Sequence, residues 1–108
     1  VILPSHQPKG REQEGRRPAI VVGIPQGEVR YPVLLIAPLT TQTGDWVQKN
    51  TSLYPGLEAG VGGFSQASVV LVDQIRAIDV RRVVAYLGSL TTKEYKPIQN
   101  ALKQLLEI

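Results

Sequence analysis

The apolar positions of this chain fall into short β-branched runs punctuated by turn residues, and one segment near the end changes to a helical period. PAIVVGI at 18–24 and YPVLLIAPL at 31–39 are apolar runs joined through IPQGEVRYP, where Pro25 and Gly27 carry turn chemistry; together they predict a hairpin. Pro18 suits the first position of its strand, because it has no N–H to give to a ladder. ASVVLV at 67–72 and QIRAID at 74–79 predict strands bent at Asp73–Gln74, and RVVAYL at 82–87 predicts another. Residues 1–3 read as the end of a first strand, and 52–54 as a further short one.

Between these runs the chain is polar. Residues 4–16, with Pro4, Pro8, Gly10 and Gly15, predict a long loop, and TTQTGDWVQKN at 40–50 predicts another. PGLEAGVGGFSQ at 55–66 holds Gly56, Gly60, Gly62 and Gly63, which predicts a mobile segment with little core burial. The closing segment is helical. Thr91 and Glu94 have the spacing of a capping box. Ile98, Ala101, Leu102, Leu105 and Leu106 share one face, while Pro97 predicts a kink or a tight first turn. Short strands closed by one helix predict a mainly β fold with a C-terminal helix, a small half-open barrel forming one domain over residues 1–108.

Composition narrows this picture. With 108 residues and an apolar fraction of 43%, the chain can build one modest core. No apolar run reaches the ~18 residues of a membrane span, so no membrane partner is expected. The chain opens on Val1 with no visible leader, and the start of the first strand is expected to be missing. The absence of cysteine rules out disulfides and thiolate zinc sites and agrees with a cytoplasmic location. A net charge of +3 and a pI near 9.5 favour an anionic partner.

Candidate chemistry concentrates in GREQEGRRPAIVV, residues 10–22, where Arg16 and Arg17 stand against Pro18 at the entrance of a strand. A cation fixed there suits an anion, although Arg17 pairing with Glu12 or Glu14 is the structural alternative. His6 has no histidine or cysteine partner and reads as a solvated side chain. Glu12, Glu14, Asp73 and Asp79 lack metal spacing, and no P-loop, dinucleotide fingerprint or G-x-S-x-G is present. No metal and no cofactor are expected. An enzyme limited to Arg, Thr, Glu, Asp and Gln suits RNA cleavage. RNA carries its own nucleophile in the 2′-hydroxyl, and a guanidinium stabilises phosphorane charge while remaining charged itself.

GREQEGRRP resembles the G-x-E-Q-x-G-x-R-P motif of the MazF/PemK/Kid family of toxin endoribonucleases, nearest its MazF-like members. APLTTQ at 37–42 resembles the family's strand ending in Thr-Thr-Gln, and VVLVDQIRAID at 69–79 its V-x-x-[DE]-Q-[IV]-[RK]-x-[IL]-D segment, in the family's order. The resemblance implies an SH3-like barrel of the MazF/Kid/CcdB type. It further implies a homodimer that cuts single-stranded RNA at short sequences without metal, leaving a 2′,3′-cyclic phosphate and a 5′-hydroxyl, and a MazE-like antitoxin. It makes Arg17 the catalytic cation and Thr40 its supporting hydroxyl. Glu12, Gln13, Asp73 and Gln74 become catalytic or RNA-binding positions, and Lys9, Arg11 and Arg16 steer phosphate. Asp73 as a backbone-bonding residue at a bulge, and Trp46 and Tyr54 as packing or base-stacking rings, remain open. Leu71 stands where some members carry an arginine, which removes one acid–base pair and throws weight on Arg17. The rival readings are a non-enzymatic toxin of the same fold that binds a protein such as DNA gyrase, as CcdB does, and a peptide-binding SH3-like adaptor.

Overall fold

The computed structural model describes residues 2–3 and 15–108, with side chains from Arg17 onward. Strands β1 (Ile2–Leu3) and β2 (Gly15–Arg16) pair antiparallel, so the end of the expected 4–16 loop is a short strand. The main sheet holds β3 (Ala19–Gly23), β4 (Val33–Thr40), β5 (Gly56–Leu57), β6 (Ser68–Val70) and β7 (Arg76–Asp79). Their order is β3-β4-β6-β5, with β7 also on β4. The hairpin of β3 and β4 forms as its apolar pattern predicts, with Ala19 opposite Pro38 and Ile20 opposite Ala37.

β4 is the central strand, and a proline in a central strand needs an explanation. Pro38 stands where the other neighbour of β4 breaks. The second half of β4 pairs with β6 (Leu39 opposite Val70), and the first half with β7 (Ile36 opposite Arg76). Opposite Ala37 and Pro38 the chain makes a 3-10 turn, Val72–Gln74, so Pro38 faces a bulge rather than an unanswered acceptor. Its carbonyl still accepts from the Leu71 N–H at 2.8 Å. The bend expected at Asp73–Gln74 is this bulge.

β4 is buried on both faces. Ala37 and Leu39 join Ile20, Leu57, Val70, Val72, Ile98 and Ala101 in the main core, against helix α2 (Thr92–Leu106). Ile36 and Ile78 form a smaller cluster with Ala19 and Leu34. α2 begins at the expected capping box: the Glu94 N–H donates to Thr91 Oγ1 at 3.1 Å, and the Thr91 N–H donates to Glu94 Oε1 at 2.8 Å. The helix runs through Pro97 without ending. Pro97 and Lys93, whose carbonyl loses its donor, both lie on the exposed side. Of the expected apolar face, Ile98 and Ala101 are buried, whereas Leu105 and Leu106 are exposed.

Three local expectations are corrected. The 40–50 loop contains helix α1 (Asp45–Lys49), with an acidic residue in its first turn and a basic one in its last, as the helix dipole favours. Residues 52–54 are a turn in which the Leu53 and Tyr54 N–H groups donate to the Asn50 carbonyl; the strand starts at Gly56. Residues 82–87 are not a strand. Asp79 Oδ1 accepts the Arg81 N–H at 2.9 Å, which turns the chain into a 3-10 helix at Val80–Arg82 and off the sheet edge. The segment that follows crosses the face carrying Leu34 and Ile36, over a cavity of about 390 Å³.

That segment also explains the glycine pair at 62–63. A Cβ on Gly63 would fall 2.0 Å from the Leu87 carbonyl oxygen, and one on Gly88 2.6 Å from the Gly62 carbonyl oxygen. The two backbones touch only because side chains are absent there. In this stretch only Pro55 and Leu57 are buried, while Val61 and Phe64 pack partly buried against the core and most of the other residues are exposed. Together these elements form the expected mainly β half-barrel with its C-terminal helix.

Candidate active site

Strand register builds the site. The Leu39 N–H donates to the Pro18 carbonyl at 3.1 Å, one residue beyond the Ala19–Pro38 pair, which brings the start of β3 to the end of β4. Arg17 thereby lies beside Thr40, although the two belong to separate motifs. They line one cleft of about 140 Å³ with Pro18, Leu39, Thr41, Gln42 and Ser68. The Arg17 side chain is exposed and Thr40 is half-buried. Thr40 Oγ1 accepts the Gln42 N–H at 3.1 Å, which leaves the hydroxyl proton directed to another acceptor. Ser68, buried on β6, donates to the Gln66 carbonyl at 3.1 Å.

A wider groove of about 540 Å³ adjoins the cleft and shares Arg17, Pro18, Thr41 and Ser68 with it. Its remaining wall comes from Gly63–Gln66 and from Val84, Ala85 and Leu87. A cation at one end and apolar side chains along the wall can hold the phosphate and the flat faces of an extended polyanion.

Sequence reasoning did not single out Thr41, Gln42, Ser65, Gln66 and Ser68. Thr41 and Gln42 were within reach, since they continue the Thr-Thr-Gln segment. Ser68 carried no local signal, because strand pairing alone brings it to the cleft.

Asp73 and Gln74 sit on the bulge and line none of these three cavities. Asp73 Oδ2 accepts the Tyr54 phenol at 2.7 Å, so its partner is a side chain rather than backbone. That bond, with burial and the charge of Asp73 adding to it, pushes the Tyr54 phenol up to about 12. The Tyr54 ring meets Trp46 edge to face, with centroids 4.8 Å apart. Leu71, between β6 and the 3-10 turn, is buried. Arg81 clasps Asp79 through Nε and Nη2 at 3.0 and 2.8 Å and holds that carboxyl down at about 2. Lys9, Arg11, Glu12 and Gln13, like His6, lie outside the described residues. Of Arg16 only the backbone, paired with Ile2, is described. Among the described residues no three His, Cys, Asp or Glu side chains gather as metal ligands, and no helix is long and apolar enough to cross a membrane.

Residues 1–106 match the family described as PemK-like, MazF-like toxin of type II toxin-antitoxin system. The chain is similar to the Endoribonuclease MazF of Staphylococcus saprophyticus, 27% identical over 94 residues that cover 87% of this chain and 76% of that protein. It is likewise similar to the Endoribonuclease EndoA of Bacillus subtilis (strain 168), 30% identical over 95 residues, 87% of this chain and 78% of that protein. A family match running from the first strand into the last turn of α2 takes in both halves of the cleft, and the chain belongs to the PemK-like, MazF-like toxins of type II toxin–antitoxin systems.

Proposed function

We propose that this toxin is an endoribonuclease that cuts single-stranded RNA at short sequences in the Arg17–Thr40 cleft. The observation that carries the reading is the meeting of an exposed guanidinium with a hydroxyl whose lone pair is already engaged by the Gln42 N–H. The 2′-hydroxyl of the RNA gives its proton to water as its oxygen attacks the adjacent phosphorus, the bond from phosphorus to the 5′-oxygen breaks, and that oxygen leaves with a proton taken from water. The products are a 2′,3′-cyclic phosphate and a 5′-hydroxyl. Arg17 stabilises the charge that builds on the non-bridging oxygens, through a fork that matches two of them at once. Thr40 donates its hydroxyl proton to the same charge.

The cleft's guanidinium and hydroxyl groups suit stabilisation of phosphorane charge by hydrogen bonds and fixed charge, a reaction that needs no metal. The names of the relatives support the activity. The toxin works as a homodimer in the cytoplasm, and its +3 charge suits an acidic, MazE-like antitoxin that covers the groove. Incubation of the purified protein with long single-stranded RNA in excess EDTA, followed by sequencing of the fragment ends, tests this. Cuts confined to a few short sequences and leaving 5′-hydroxyl ends are expected. Intact RNA, or cleavage that returns only with Mg²⁺, overturns it.

A further inference from the structure

Trp46, Tyr54 and Asp73 come from three segments and meet outside the cleft. Trp46 lies in α1, Tyr54 in the turn before β5, and Asp73 on the bulge between β6 and β7. The Tyr54 phenol donates to Asp73 Oδ2 at 2.7 Å, and the Tyr54 ring meets the indole at 83°. The indole also rests on Gly44, where a Cβ would fall 2.9 Å from its Nε1. Held on two sides, it still leaves the residue 40% exposed. Asp73 is exposed as well, and an ionised carboxylate has about four acceptor sites, of which the phenol uses one.

We infer that these three residues form a nucleobase subsite: the Trp46 indole stacks on an RNA base whose amino group donates to Asp73, and Tyr54 positions the carboxylate. This inference rests on the endoribonuclease reading and adds to it a place where sequence is read. Single-stranded RNA is recognised by stacking its bases on aromatic rings and by hydrogen bonds to their Watson–Crick edges. A carboxylate only accepts, so it selects cytosine, adenine or guanine, each of which presents an amino group, as a carboxylate does with the cytosine amino group in duplex readout. The Watson–Crick edge of uracil flanks its single N–H with carbonyl oxygens, which the carboxylate repels. From Ser68 in the cleft to Asp73 the backbone spans at most about 18 Å, so one short stretch of RNA reaches both places.

Trp46 is the only tryptophan in the chain, so intrinsic fluorescence reports on this subsite directly. End-labelled 2′-O-methyl oligonucleotides lack a free nucleophile and bind without being cut. Oligo-C and oligo-A are expected to quench Trp46 and to bind at least about tenfold more tightly than oligo-U, with binding followed by anisotropy of the label. In Asp73→Asn the amide retains an acceptor for Tyr54 and adds a donor, so the preference should collapse or turn toward oligo-U. Tyr54→Phe should weaken the preference while oligonucleotides still bind. Binding without quenching, or an Asp73→Asn protein of unchanged melting temperature and unchanged preference, overturns the subsite. If RNA is cut and no quenching occurs, the subsite falls alone. If RNA is neither bound nor cut, the endoribonuclease reading falls and takes the subsite with it.

Discussion

The Arg17–Thr40 cleft and the Trp46–Tyr54–Asp73 cluster are suited to opposite partners. The cleft is set by backbone register and offers a cation with hydroxyl and amide groups, the complement of a phosphate. The cluster is set by side chains and offers an aromatic ring with a carboxylate, which attracts a hydrogen-bond donor and repels phosphate. The 3-10 turn at Val72–Gln74 separates the two, carrying Asp73 out of a strand that would otherwise continue from Ser68. Contacts to phosphate position a nucleic acid and contacts to bases specify it. On the proposed reading this fold divides the two tasks between the ends of one bulged strand, with the carboxylate kept away from the charge it would oppose.

The largest expected effect is on the cleft. Arg17→Ala should leave the melting temperature near its original value and slow RNA cleavage by about 10²–10³ or more, as measured by single-turnover rates. Arg17→Lys should recover little, because an ammonium lacks the fork. If Asp73→Asn slowed cleavage of every substrate as severely as Arg17→Ala, the division between phosphate and base would collapse. Thr40→Val keeps a β-branched side chain at the strand end and removes the hydroxyl. A drop of about 10- to 100-fold in the same assay is expected, the range of a hydrogen bond to a charged group. A rate within twofold of the original would leave Thr40 as a strand-end hydroxyl only.

Smaller effects sharpen the other half of the comparison. Tyr54→Phe should lower stability by about 1 kcal/mol or less at neutral pH, read from denaturant unfolding. The folded protein raises this phenol from 10.0 to about 12. Its contribution is therefore complete below pH 10 and is lost as the pH rises toward 12. The gap between the two proteins should close over that window, and a constant gap would mean that the bond to Asp73 is not its source. Gly44→Ala should have the smallest effect. Gly44 has extended backbone that alanine adopts freely, so the added methyl acts by pushing the indole. A shift in tryptophan emission with a stability change of a few tenths of a kcal/mol is expected. Unchanged emission would show that the ring does not rest on Gly44.

What the amino-acid sequence determined by itself was local. The β3–β4 hairpin follows from two β-branched runs around a Pro/Gly turn. The start of α2 follows from a capping box whose partners are three residues apart. Arg17 and Thr40 each stand at the end of a strand motif in the sequence, but their adjacency is not visible there, since it depends on the pairing that sets Pro18 against Leu39. Partner availability decided the rest. RVVAYL has the composition of a strand, yet Asp79 turns the chain away before it can reach a sheet edge, and the glycine contacts at 62–63 and 87–88 hold it across the other face. The same contacts bring the end of a glycine-rich stretch into the wall of the groove. Asp73 stands in a sequence motif whose partner is not visible there, and the bulge opposite Pro38 places it with Tyr54. Propensity and capping act over a few residues and are visible in the chain, whereas register, bulges and close backbone approach exist only once distant segments have met.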